Sequence, residues 1–191
     1  MISAIIALML LPIHAFAHCD GMDGPVVKAA QVALEKANVS GVLIWVQEQD
    51  ETEIRKAFQQ TLTVRKFNPQ AKEMADRYFF ETLVRLHRAG EGAPYTGLKP
   101  AGRDLGPAIP AADKALEQGS VEALRKLLVD AVQQGLQAHY QEALSARNFK
   151  NDDIKAGREC IRAYVEFIHY VDRIYRAAKN AAHGHTEEHE E

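Results

Sequence analysis

Apolar residues return every three or four positions along most of this chain, a spacing that predicts helices rather than strands. Pro25 suits a first helical turn, and Val26, Val27, Ala30 and Leu34 carry one face to about Ala37. Glu51 to about Lys66 repeats the pattern with Ile54, Phe58 and Leu62. Asn68-Pro69 is a cap followed by proline and opens a helix to about Ala89, with Met74, Phe80, Leu83 and Leu86 inward. Val42-Leu43-Ile44-Trp45-Val46 has a strand-like composition. The chain offers no second β-branched run to pair with it, and a lone strand would leave its backbone groups unsatisfied. It is therefore read as a short buried helix with Trp45 in the core.

Between 90 and 110 the periodicity stops, because five glycines alternate with four prolines. Tyr95, Leu98, Leu105 and Ile109 within that stretch predict an ordered loop packed onto the helices. Helical spacing resumes over 111–118, 121–147 and 152–182. In the last of these Ile161, Tyr164, Ile168, Val171 and Tyr175 form a seam of alternating three- and four-residue steps that predicts an inward bundle face. The fold expected is all-α, a helical bundle over 18–182 with one long Gly/Pro-rich loop. The tail His183-Gly184-His185-Thr186-Glu187-Glu188-His189-Glu190-Glu191 has nothing apolar to bury, so 183–191 is expected to be disordered.

The two ends and the charge narrow the function. Residues 1–17 are an uncharged apolar run ending Ala15-Phe16-Ala17, shorter than a membrane span and read as a secretory signal peptide that lacks a basic leader. Export to the periplasm or beyond follows, with no membrane partner after cleavage. A net charge of −3 without a Lys/Arg block argues against nucleic acid. Two cysteines, Cys19 and Cys160, leave a disulfide open as one reading. Self-association is also left open.

Cleavage after Ala17 would make His18 and Cys19 the first two residues. An α-amine, an imidazole and a thiolate would then stand on adjacent residues, a donor set suited to nickel, copper or zinc. His18-Cys19-Asp20 followed by Gly24 resembles the start of nickel superoxide dismutase, whose hook holds nickel on a small helical bundle. The resemblance implies that His18 supplies amine and imidazole and that Cys19 supplies an amide nitrogen and a thiolate. Asp23 stands where that family has its second thiolate, and Met22 replaces its proline. A carboxylate is a harder and weaker donor for nickel, which counts against dismutation. Over nearly its whole length, including His18–Val27, Glu81–Arg103 and Tyr164–Val171, the chain is also similar to an uncharacterised family of exported bacterial helical proteins. That likeness implies no activity.

A chain-end chelate needs further donors and shielding. His87 follows Phe80 and Leu83 on the inward stripe, and Glu166 with His169 stands at i,i+3 on the last long helix, like half of a di-iron motif. The candidate metal residues are therefore His18, Cys19, Asp20, Asp23, His87, Glu166 and His169, with His87 and His169 expected to converge. Nickel or copper is expected first, zinc or iron next. Each inner residue also has an ordinary reading: His87 and His169 as hydrogen-bonded core histidines, Glu81 paired with Arg85. The functional expectation is an exported transition-metal-binding protein, redox-active on a small oxygen species. Its rivals are a non-enzymatic metal carrier and a metal-free bundle closed by Cys19 and Cys160.

Overall fold

The computed structural model describes residues 18–150 and 152–179; the predicted leader, 1–17, and tail, 183–191, lie outside them. Among the described residues the chain forms seven α-helices and one 3-10 turn. They are α1 (Pro25–Lys36), α2 (Ser40–Leu43), the 3-10 turn Glu48–Asp50, α3 (Glu51–Val64), α4 (Pro69–Gly90), α5 (Ala108–Gln118), α6 (Glu122–Ser145) and α7 (Ile154–Lys179). The caps explain several boundaries. Asn68 accepts a hydrogen bond from the Ala71 N–H at 2.7 Å ahead of Pro69. At the far end of α1, Ala37 takes a left-handed conformation (φ 50°) and stops the helix. The helices fall into two compact units, one of the described residues through Asp104 and one of those from Leu105.

In the first unit α4 packs against both α1 and α3. Its core joins Val26, Val27, Ala30 and Leu34 of α1 to Val42, Ile54, Phe58, Phe79, Phe80, Leu83 and Val84, with Phe58 and Phe79 tilted against each other at 5.4 Å. Arg65 ties its three main helices together: it grips the Asp76 carboxylate with two bonds of 2.8 and 3.0 Å and donates to the Leu34 carbonyl at 2.8 Å. Tyr95 and Leu98 of the Gly/Pro-rich loop pack on this core as expected. Leu105 and Ile109 belong to the second unit.

Four local expectations are corrected. Met74 is 75% exposed; nine residues at about 100° each place it half a turn from Leu83, on the opposite side of α4. The Val42–Val46 run is helical only through Leu43, after which i→i+3 bonds from Trp45 and Val46 turn the chain, leaving Ile44 exposed and Trp45 half-buried. Glu81 pairs with Arg77 at 3.0 Å, because Arg85 reaches across to Glu53 of α3 at 2.6 Å. The α7 seam of Ile161, Tyr164, Ile168, Val171 and Tyr175 is exposed.

In the second unit α6 packs on both α5 and α7. The face that α7 turns to α6 is the neighbouring seam, in which Ala163 is buried and Cys160, Phe167, Tyr170 and Ile174 are half-buried. Phe167 meets Tyr140 at 5.9 Å and Tyr170 meets His139 at 4.4 Å between ring centres. No helix among the described residues is long and apolar enough to cross a membrane.

Candidate functional site

Residues 18–24 fold into a tight hook ahead of α1. The Gly24 N–H donates to the Gly21 carbonyl at 2.8 Å, and the Lys28 N–H returns to the Gly24 carbonyl at 3.0 Å. A Cβ on Gly24 would collide with the His18 carbonyl oxygen and stand 3.0 Å from that of Gly21, so this position has no room for a side chain. The hook is pinned to the Gly/Pro-rich loop by a parallel bridge between Gly21 and Lys99. In it the Met22 N–H donates to the Lys99 carbonyl at 3.0 Å, and the Lys99 N–H donates to the Asp20 carbonyl at 2.9 Å. Asp23 closes the other side by accepting the Gly102 N–H at 2.8 Å, and that bond holds its carboxyl below the ordinary value of 3.8. Cys19 and Met22 rest on the core, so the His18-Cys19 end is held against the fold.

Beneath the hook the Asp20 side chain is fully buried, with Arg88 Nε 3.6 Å from its Oδ1. Burial raises the Asp20 carboxyl above its ordinary value, and the positive charges of Arg88, Lys99, Arg103 and His87 pull it part of the way back. Neither Asp20 carboxylate oxygen has a hydrogen-bond partner among the described residues. Burial and the negative charge of Glu81 also raise the Tyr95 hydroxyl. Arg88 further engages Glu91 at 3.2 Å.

His87 stands beside this pair, one residue before Arg88 near the end of α4. Its Nδ1 lies 2.9 Å from the Trp45 carbonyl, which can only accept, so Nδ1 carries the proton and the ring orientation is fixed. The buried Nε2 lies 3.3 Å from Glu91 Oε1 without the alignment of a hydrogen bond. A backbone carbonyl that sets the tautomer and leaves the other nitrogen available is the arrangement that orients histidine ligands in metal sites.

His18, Cys19, Asp20, Asp23 and His87 thus all fall in the first unit, and Glu166 and His169 in the second. There Glu166 is committed to Arg162, which holds it at 2.8 Å and also binds Glu142 and Glu159 at 3.0 Å each. His169 is exposed on α7. Cys19 and Cys160 stand as thiols. Among the described residues no three His, Cys, Asp or Glu side chains already converge as a metal site. Reading the sequence missed Glu91 as a partner of His87, although its i+4 spacing was a visible signal. It also missed the Trp45 carbonyl, which only the packing of α2 brings to the ring.

The family model of DUF6448, a family of unknown function, matches residues 23–170. The chain belongs to the DUF6448 family. No curated protein and no solved structure matches it. In this DUF6448 protein the match takes in the Asp23 and Gly24 closure of the hook, the Lys99 and Gly102 anchors, and His87, Arg88 and Glu91. His18, Cys19 and Asp20 precede it.

Proposed function

We propose that this DUF6448 protein is exported, that removal of residues 1–17 leaves His18 at the amino terminus, and that its amine, its imidazole and the Cys19 thiolate chelate a transition-metal ion, nickel or copper before zinc or iron. The observation that carries the reading is the pinned hook. A flexible terminus would chelate a metal in bulk solvent, whereas here the bonds to Lys99 and Gly102 hold the two donor residues half-buried on the core. In the full 191-residue chain the His18 nitrogen belongs to a peptide bond, so the chelate forms only on cleavage.

Asp20 and Asp23 support the hook and are not ligands in this reading: one is buried against Arg88, the other holds Gly102. His87 is the donor contributed by the fold. Its Nε2 and Glu91 Oε1 are 3.3 Å apart, close to the spacing of two donors about 2.0–2.1 Å from one tetrahedral ion. Redox chemistry on a small oxygen species is the activity we attach to the bound ion. Metal carriage is the second reading, favoured by Asp23: with its carboxylate engaged by Gly102, the hook offers one thiolate where redox-active nickel uses two.

Untagged protein purified from the exporting cell tests this by intact mass and elemental analysis. The expected result is a chain beginning at His18 with one ion bound. Placing one alanine ahead of His18 should lower metal affinity by about tenfold to a hundredfold, and His87→Ala should weaken it while helical content by circular dichroism is kept. A terminus elsewhere, or full metal retention by the extended chain, overturns the proposal. Superoxide decay measured with the loaded protein separates the redox reading from carriage.

A further inference from the structure

The α6–α7 hairpin holds a groove of about 510 Å³ whose lining changes character from one end to the other. Tyr140, Leu144, Ile161, Tyr164, Phe167 and Ile168 form its apolar walls, and Arg147 is the one charged residue that lines it. The contact of Tyr140 with Phe167 sets the antiparallel register of the two helices. Phe167 and Ile168 therefore lie at one end, and Arg147 lies at the other with Cys160 and Ile161. An adjoining cleft of about 420 Å³ shares Ile161 and brings a second guanidinium, that of Arg158, to the same end. Among the described residues neither arginine has an ion-pair partner. Asp153 also lines the cleft, and its Oδ1 accepts the Ala156 N–H at 2.9 Å as the cap of α7. Two guanidinium groups against one carboxylate leave this end positive. The acidic cluster around Arg162 faces the other way: Glu159 and Glu166 lie about 140–180° around α7 from Ile161, Tyr164 and Ile168, and Glu142 lies about 160° around α6 from Tyr140 and Leu144.

We propose that this groove binds a single-chain fatty acid, its acyl chain along the wall from Ile161 to Ile168 and its carboxylate at Arg147 and Arg158. Charge, length and width each select that ligand. A guanidinium fork matches a carboxylate with two parallel bonds, which a neutral or cationic amphiphile does not supply. The lining runs about 10 Å along α6, from Tyr140 to Arg147, and about 12 Å along α7, from Cys160 to Ile168, at 1.5 Å per residue. That is about the span of an extended ten-carbon chain. A helix 10–12 Å across would need roughly 1,000 Å³ over the same length, about twice the groove, so a helical segment would stand largely outside it where an acyl chain lies within. Ile161, Tyr164 and Ile168 are 42–62% exposed, and covering them with methylenes removes apolar surface from water on both sides of the contact. The proposal is independent of the metal reading, which rests on the first unit.

Isothermal titration of the whole chain with sodium decanoate at neutral pH tests it, in EDTA so that the carboxylate cannot bind through a metal ion. One decanoate per chain is expected. Decanol, with the same tail and no charge, and decyltrimethylammonium, with the opposite charge, should each bind at least tenfold more weakly. Octanoate should bind about tenfold more weakly through its two missing methylenes. Arg147→Gln combined with Arg158→Gln should weaken decanoate at least tenfold and leave decanol unchanged, with circular dichroism constant because both arginines are exposed. Cys160 lines the groove and reports the location: its alkylation, followed by peptide mass, should slow at least tenfold in saturating decanoate. Absence of saturable decanoate binding overturns the proposal, as does decanol or the cation binding as tightly as decanoate. An unchanged rate of Cys160 alkylation, or full decanoate affinity in the double variant, also overturns it by placing the ligand elsewhere.

Discussion

The two units use the same alphabet of amphipathic helices and reach opposite outcomes. In the first, α1, α3 and α4 close on each other, and Val26, Val27, Phe58, Phe79, Leu83 and Val84 are almost wholly shielded. In the second, three helices that include the two longest of the chain bury a single residue, Ala163, among the described residues. The reason is geometric. α4 sits between two partners and buries a wide arc, whereas α7 has one neighbour for two seams. A helix's sequence states how many neighbours it is built for, and the fold states how many its own chain provides. The hook belongs with the shielded unit, and its Cys19 and Met22 rest on that core.

The largest expected effects would break this contrast if they failed. Phe79→Ala should destabilise the first unit by about 3–5 kcal/mol, read by urea denaturation. Ile168→Ala should fall within about 0.5 kcal/mol of the parent; equal losses for the two would dissolve the distinction between the units. Arg88→Ala removes the cation closest to the buried Asp20 carboxylate and should cost about 3–5 kcal/mol. Adding Asp20→Asn should recover part of that loss, a non-additivity that a double-mutant cycle reads directly.

Smaller effects sharpen the view of the hook. Gly24→Ala forces a methyl against the His18 carbonyl and should cost about 1–3 kcal/mol; metal loading should fall with it if the hook positions the chelate. Asp23→Asn should give the smallest change, and one that depends on pH. The folded Asp23 carboxyl titrates below its ordinary value of 3.8 because the Gly102 N–H stabilises its charge. Its contribution is therefore present above about 3.8 and disappears as pH falls through the lower folded value. Thermal midpoints of parent and variant should differ at neutral pH and converge in acid.

Local chemistry determined most of the helix map without help from the fold. Pro25, Asn68-Pro69 and the Gly/Pro run after residue 90 mark starts and stops through backbone constraints that act within a few residues, and the structure keeps them within a turn of their expected places. The inward faces of α1 and α3 were legible for the same reason: one strong stripe leaves one choice. On α7 two stripes compete, and its sequence alone assigned the inward role to the seam that is exposed. Tertiary packing decided that, as it decided that Met74 faces water, that Arg85 crosses to Glu53, and that the Trp45 carbonyl fixes the His87 ring. It also divided the roles of the two aspartates, burying Asp20 on Arg88 and tying Asp23 to Gly102, 79 residues along the chain. Partners that far apart in sequence leave no local period to read, because their pairing depends on where whole helices cross rather than on the spacing of neighbouring side chains.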